Sequence, residues 1–181
     1  MKKQLNLPNT LSIIRICMAP IIFFLIVFHS EKVHIFLIVL YILTVILDFF
    51  DGYFARLYSL ETELGKILDP LADKLLVLLI LLALISVSNF PIWLAILIVL
   101  RDILIIIASS IIYRSNNVIR PSIIIGKVTF FMISLLFLLY IIDMDMNSIG
   151  ILKEFFCVSS FGFLIWSFLD YYKVYKRIRN G

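Results

Sequence analysis

The sequence predicts an all-α integral membrane protein, a bundle of six transmembrane helices with both termini on the cytoplasmic side. Three observations lead there. Hydrophobic residues make up 63% of the 181-residue chain, against roughly 45–50% in soluble domains. They gather into six runs, several of which approach or exceed the roughly 18–20 residues that cross a bilayer. The charges fall mostly between these runs, and hydrocarbon leaves no water for bare amide groups, so the spans must be helical.

Taken in order, residues 1–9 form a short polar entry with Lys2 and Lys3. The run from Leu11 to Phe28 is too long for a signal-peptide core and is followed by no small-residue cleavage site, so it reads as a retained span. Asn9 or Thr10 is its expected cap. A polar break at His29–Lys32 leads to a second span, Val33–Leu57, and a short link, Tyr58–Leu64, to a third, Gly65–Val87. Pro70 falls in the first turns of that third span, where a missing amide donor is tolerated. Ser88–Pro91 is the next turn. The fourth span reaches Tyr113, a polar loop covers Arg114–Pro121, and the fifth span covers Ser122–Ile142. Asp143–Ser148 reads as an acidic turn, Ile149–Tyr171 as the sixth span, and Lys173, Lys176, Arg177 and Arg179 as a basic tail. Residues 1–181 are expected to form one domain without internal repeats. His29 and His34 flank an outer turn and are expected to be solvated. Cys17 and Cys157 lie in separate apolar spans and read as packing residues, not as a disulfide or metal pair.

Basic residues set the orientation. Lys2, Lys3, Arg56, Lys66, Arg114, Arg120 and the C-terminal cluster share one side of a six-span topology. The other side holds chiefly Lys32 and Lys153, offset by Glu31, Asp143, Asp145 and Glu154. The positive-inside rule then places both termini in the cytoplasm. A net charge of +4, located at helix ends and loops, suits anionic head groups and phosphate ligands. No basic–aromatic interleaving points to nucleic acid.

The segment from Asp48 to Asp73 breaks the pattern, with Asp48, Asp51, Asp69 and Asp73 inside or beside apolar runs. An aspartate at the centre of a membrane helix costs roughly 2.5–3.5 kcal/mol on insertion scales, and such residues are functional candidates by default. Asp48 and Asp51 are three apart, and Asp69 and Asp73 four apart, so each pair shares a helix face. If the two helices are antiparallel neighbours, the pairs can converge. Converging carboxylates call for cations, and all-oxygen sites suit hard divalent ions such as Mg2+ or Mn2+. Two such ions form a clamp for displacement at phosphorus.

The string D-x2-D-G-x2-A-R-x8-G-x3-D-x3-D, carried here by Asp48, Asp51, Gly52, Ala55, Arg56, Gly65, Asp69 and Asp73, resembles the signature of the CDP-alcohol phosphatidyltransferase family. The resemblance implies transfer of a phosphatidyl group from CDP-diacylglycerol to an alcohol, with release of CMP. It implies two divalent cations on Asp48, Asp51, Asp69 and Asp73, with Asp73 also the general base. Gly52, Ala55, Arg56 and Gly65 would bind the CDP donor, together with the Thr62 hydroxyl. Asp69-Pro-Leu-Ala-Asp73-Lys74 and the opening Asn6-Leu-Pro-Asn9 are most similar to the phosphatidylglycerophosphate-synthase branch, whose acceptor is glycerol 3-phosphate. That opening, followed by Arg15, reads equally as a helix cap with an interfacial arginine and is left outside the candidate site.

Arg101 and Asp102 sit in the middle of the fourth run, where an arginine needs a partner. Arg101 and Lys127 are the expected contacts for an acceptor phosphate, similar to basic positions in family members that use such acceptors. The Arg101-Asp102 pair also resembles the cardiolipin-synthase branch, whose acceptor is phosphatidylglycerol, and this leaves the acceptor open. An ion- or proton-coupled transporter is the alternative of another class, although the carboxylates cluster at one membrane edge. The family resemblance further implies a homodimer in a lipid bilayer, with the site facing the cytoplasm. The expected setting is a bacterial inner membrane, an organellar one being the alternative.

Overall fold

A computed structural model describes residues 7–57, 65–114, 123–146 and 149–180, all but a few in helices. The order is α1 (Leu7–Val27), α2 (Glu31–Leu57), α3 (Gly65–Val87), α4 (Ile92–Arg114), α5 (Ile123–Met146) and α6 (Gly150–Asn180). No strand occurs among the described residues. Windows in α1, α3, α5 and α6 (Asn9–Val27, Leu68–Val87, Ile125–Met144 and Gly150–Asp170) are long and apolar enough to cross a membrane. Large side chains such as Phe24, Phe36, Phe131 and Phe155 point outward from α1, α2, α5 and α6. That is the expected surface of an integral membrane protein, whose solvent is hydrocarbon.

The chain divides into two compact units, one of Met1–Phe90 with Met144–Met146 and the other of Pro91–Asp143 with Asn147–Gly181. In the first, α1 packs against both α2 and α3. Beyond the buried Asn9, its buried residues are Ser12, Arg15, Ala19, Ile22 and Ile26, a three–four spacing that keeps one seam toward its neighbours. His34, Leu37, Tyr41 and Thr44 form the matching buried seam of α2. Thr44 Oγ1 donates to the Leu40 carbonyl at 2.7 Å and lies 3.4 Å from Met18 Sδ. On α3 the core is Ala72, Leu76, Val77, Ile80, Leu81, Ala83 and Leu84.

Several boundaries differ from expectation. Helix α1 begins at Leu7, so Asn9 and Thr10 lie inside it and do not cap it. Asn9 is buried, which a solvated cap would not be. His34 is buried too, and His29 Nε2 lies 2.9 Å from His34 Nδ1. This imidazole pair replaces the solvated histidines expected at the outer turn, because each ring supplies the other with a hydrogen-bond partner. Cys17 is exposed, not packed in the core.

The α3–α4 turn follows the sequence closely. Ser88 returns its amide and its hydroxyl to the Leu84 carbonyl at 2.9 and 2.7 Å. Asn89 then takes a left-handed conformation with φ 52°, which asparagine accepts more readily than other side-chain-bearing residues. Asn89→Val is therefore expected to cost about 1–2 kcal/mol, whereas Asn89→Gly should be tolerated. Denaturation of both variants in detergent micelles checks this, and equal stability of the two would contradict it.

In the second unit α4 packs on α6, with Trp93 edge-on to Phe161 at 5.6 Å between ring centroids. Helix α5 continues to Met146, through most of the expected acidic turn. Asp143 is buried within it, paired with Lys153 of α6 and accepting the Ile149 amide at 3.1 Å. Lys153 Nζ also lies 5.0 Å from the centre of the Tyr140 ring. These partners allow the helix to carry a carboxylate that would otherwise end it. Helix α6 likewise absorbs the basic tail, whose positive charges favour the negative end of the helix dipole.

Candidate active site

The site is built at the end of the first unit where the seam of α1 turns polar. Ser12 and Arg15 occupy the same buried register as Ala19 and Ile22. They therefore point into the unit, and a buried guanidinium there must find anions. It finds them on both flanking helices. Arg15 pairs with Asp48 of α2 and with Asp73 of α3 through the same nitrogen, Nη1. One turn earlier on each helix, the Ser12 hydroxyl donates to Asp69 Oδ1.

The depths differ. The side chain of Arg15 is 1% exposed, while those of Asp48 and Asp73 are 23% and 35% exposed. The cation is a buried floor, and the carboxylates stand above it with access to solvent. Asp69 is also partly exposed, while Ala72 and Gly65 are buried beside it on α3.

Asp48 and Asp73 thus share one guanidinium, and Asp69 lies on the neighbouring Ser12, an arrangement that was not anticipated. Helices α2 and α3 meet at this site through α1, and the residue joining them is Arg15, which sequence reasoning left out. Its signal was available: Ser12 and Arg15 continue the three–four seam of Ala19, Ile22 and Ile26. An interfacial arginine has no reason to keep that register. The side chains of Asp51, Gly52, Ala55 and Arg56, and all of Thr62, lie outside the described residues.

In type, though not in spacing among the described residues, these donors are those a hard cation takes. All are oxygens, and the guanidinium shared by Asp48 and Asp73 shows that this end of the unit already stabilises positive charge between them. Among the described residues, no three acidic, imidazole or thiol side chains gather closely enough to hold an ion.

In the second unit Arg101 and Asp102 are both buried on α4. Arg101 Nη1 donates to Asp102 Oδ1 at 2.8 Å, and Nη2 to the Gly126 carbonyl of α5 at 3.2 Å. Arg101 Nε is buried without a hydrogen-bond partner. Lys127, next to Gly126, is exposed. The fold thus brings Arg101 to the part of α5 that carries Lys127.

Comparison with known proteins bears on the same residues. The family profile described as CDP-alcohol phosphatidyltransferase matches residues 5–167. A Rickettsia bellii protein is 42% identical over 105 residues, 58% of this chain and 58% of its own length. An Aquifex aeolicus protein is 33% identical over 171 residues, 92% of this chain and 94% of its own. A Bacillus subtilis protein is 36% identical over 109 residues, 54% and 56% of the two lengths. All three are named CDP-diacylglycerol--glycerol-3-phosphate 3-phosphatidyltransferase. The chain spans 58% of the length of the Rickettsia bellii relative and nearly all of the Aquifex one. With a profile match that takes in α1 through most of α6, and an arginine-bridged carboxylate site inside it, the chain belongs to the CDP-alcohol phosphatidyltransferase family.

Proposed function

We propose that the protein transfers a phosphatidyl group from CDP-diacylglycerol to glycerol 3-phosphate and releases CMP. The observation that carries this reading is that Arg15 of α1 pairs with both Asp48 of α2 and Asp73 of α3, while Ser12, one turn away, donates to Asp69. The names of the relatives support the choice of donor and acceptor. Asp48, Asp51, Asp69 and Asp73 would hold two divalent cations, Mg2+ or Mn2+, which when bound neutralise the diphosphate and stabilise charge at the attacked phosphorus.

The chain's own side chains do the rest. Asp73 takes the proton of the acceptor hydroxyl. The acceptor oxygen forms an ester bond to the lipid-bearing phosphorus as the bond from that phosphorus to the CMP oxygen breaks. Arg56 forks onto the donor phosphates. Gly52, Ala55 and Gly65 admit the nucleotide close to the backbone, and Thr62 offers it a hydroxyl. Arg101 and Lys127 hold the acceptor phosphate, a use that would satisfy the buried Nε of Arg101. The site faces the cytoplasm at the ends of α2 and α3, with six spans, both termini cytoplasmic, in a bacterial inner membrane. A single domain over residues 1–181 working as a homodimer completes the reading.

The test is CMP release by purified protein with CDP-diacylglycerol and Mn2+ or Mg2+, against glycerol 3-phosphate, phosphatidylglycerol, inositol phosphate and serine in parallel. Turnover should occur with glycerol 3-phosphate, stop on chelation and return when the cation is restored. Turnover with phosphatidylglycerol alone would move the reaction to cardiolipin synthesis. Chelator-resistant turnover would overturn the cation requirement, and no turnover or cation-dependent donor binding would overturn the enzyme reading.

A further inference from the structure

Among the described residues of the second unit, Arg101 Nε on α4 and the hydroxyls of Ser160 and Ser167 on α6 are buried without a hydrogen-bond partner. Other hydroxyls of the chain solve this problem locally. Thr44, Ser88 and Thr129 donate to the carbonyls of Leu40, Leu84 and Ile125, four residues back, at 2.7, 2.7 and 2.8 Å. Ser167 is 1% exposed and does not. The carbonyl it would use, that of Phe163, faces Thr129 Oγ1 of α5 at 3.4 Å. A buried donor left open is unfavourable, and alanine would fill a packing role at a helix interface as well as serine does.

The contacts put Ser167 at the level of Arg101. Helices α5 and α6 run antiparallel, since Asp143 meets Lys153, Tyr140 Oη lies 3.9 Å from Cys157 Sγ, and Thr129 faces Phe163. From the Thr129–Phe163 contact, Gly126 lies three residues toward the start of α5, about 4.5 Å, and Ser167 four residues toward the end of α6, about 6 Å. The two are nearly level, each on the helix face that makes the contact. Gly126 is the residue whose carbonyl accepts Arg101 Nη2. A second path agrees, starting from Trp93 edge-on to Phe161. Along α4 and α6, which run the same way two spans apart, Arg101 is eight residues past Trp93 and Ser167 six past Phe161, a difference of about 3 Å.

We infer that Ser167 is a binding residue for the acceptor: its hydroxyl and Arg101 Nε are donors held open, at one level of the second unit, for the oxygens of a phosphate monoester. The inference rests on the proposed transfer to glycerol 3-phosphate and adds to it a residue that the sequence did not single out. Two open donors call for a ligand rich in acceptors, and the exposed Lys127 beside Gly126 adds positive charge. Asp102 already offsets the charge of Arg101, so recognition there falls on hydrogen bonds as much as on charge. A hydroxyl that binds only the ligand is idle in the free protein. Ser167→Ala should therefore unfold at or above the wild-type temperature without phosphate. Its KM for glycerol 3-phosphate should rise about tenfold or more, the loss typical of one hydrogen bond to a charged group.

The experiment is steady-state CMP release in micelles, varying glycerol 3-phosphate, CDP-diacylglycerol and inorganic phosphate in turn, with thermal unfolding of each protein. Inorganic phosphate should compete with glycerol 3-phosphate in wild type, and about tenfold more weakly in Ser167→Ala, while the KM for CDP-diacylglycerol stays within about twofold. Ser160→Ala is the control, equally unpaired but seven residues, about 10.5 Å, from Ser167, and its acceptor KM should not move. An unchanged acceptor KM in Ser167→Ala overturns the inference and leaves the function intact. So does an equal rise in Ser160→Ala, or a rise matched by lost stability, which marks a structural serine. Phosphate that fails to compete in wild type overturns it too. A wild type inactive with glycerol 3-phosphate overturns the proposed function itself, and the inference falls by that separate route.

Discussion

An Asp73→Asn protein is expected to release CMP at least about a hundredfold more slowly than wild type, with a fall of up to about ten-thousandfold if proton transfer limits the rate. The substitution keeps shape and one acceptor oxygen, so contact with Arg15 is retained in part and the helices should stay docked. What it removes is the ability to accept a proton and the negative charge offered to a cation. Both losses fall on turnover. The check is CMP release at saturating CDP-diacylglycerol and acceptor, alongside thermal unfolding. Turnover within tenfold of wild type would end the assignment of Asp73 as the base.

The second large effect lies outside the site. Lys153→Met should destabilise the protein by about 3 kcal/mol, the lower end of the range for breaking a buried ion pair by deleting one partner. The lower end applies because the Lys153 side chain keeps 22% exposure, while that of Asp143 has 5%. The asymmetry makes a sharper expectation. Removing the lysine takes a cation from a carboxylate with only 5% side-chain exposure, whereas Asp143→Asn leaves a more exposed ammonium and still accepts the Ile149 amide. Lys153→Met should therefore cost more than Asp143→Asn, and the double variant less than the sum of the two. Denaturant titrations in micelles decide it. A loss below about 0.5 kcal/mol for Lys153→Met, the range of ordinary surface changes, would show that the pair is not holding α5 to α6.

Much of this protein can be read without coordinates, and the reason is the solvent. In hydrocarbon a charge is an anomaly, so Asp48, Asp69 and Asp73 announce themselves, and the turn at Ser88–Pro91 announces itself through breaker residues. The same contrast misleads at helix ends. Asp143 and the basic tail look like loop because they are charged, yet Asp143 has Lys153 and the Ile149 amide, and the tail has a helix terminus. Arg15 fails for a related reason. One arginine near a span's end is compatible with snorkelling to the interface, and only its register against Ala19 and Ile22 separates the two cases. The pairing of Arg101 Nη2 with the Gly126 carbonyl depends on how α4 meets α5, which no local pattern encodes. Family membership rests on spacing, D-x2-D-G-x2-A-R-x8-G-x3-D-x3-D, and spacing is what a sequence records best.

The placement of Arg15 on the first helix has a consequence for biogenesis. The chain emerges from its N-terminus, so α1 meets the membrane with a guanidinium whose partners do not yet exist. Asp73 follows 58 residues later, a delay of roughly 3–12 s at ordinary synthesis rates of 5–20 residues per second. Through that interval the first helix carries an insertion penalty that, for a helix-centre arginine, is about 2.5–3.5 kcal/mol. It must wait at the interface or beside the insertion machinery until α2 and α3 deliver their carboxylates. Of the three helices at the site, α1 is made before both of those that neutralise it, and a ribosome stalled before Asp73 would leave behind a span without its full set of anions.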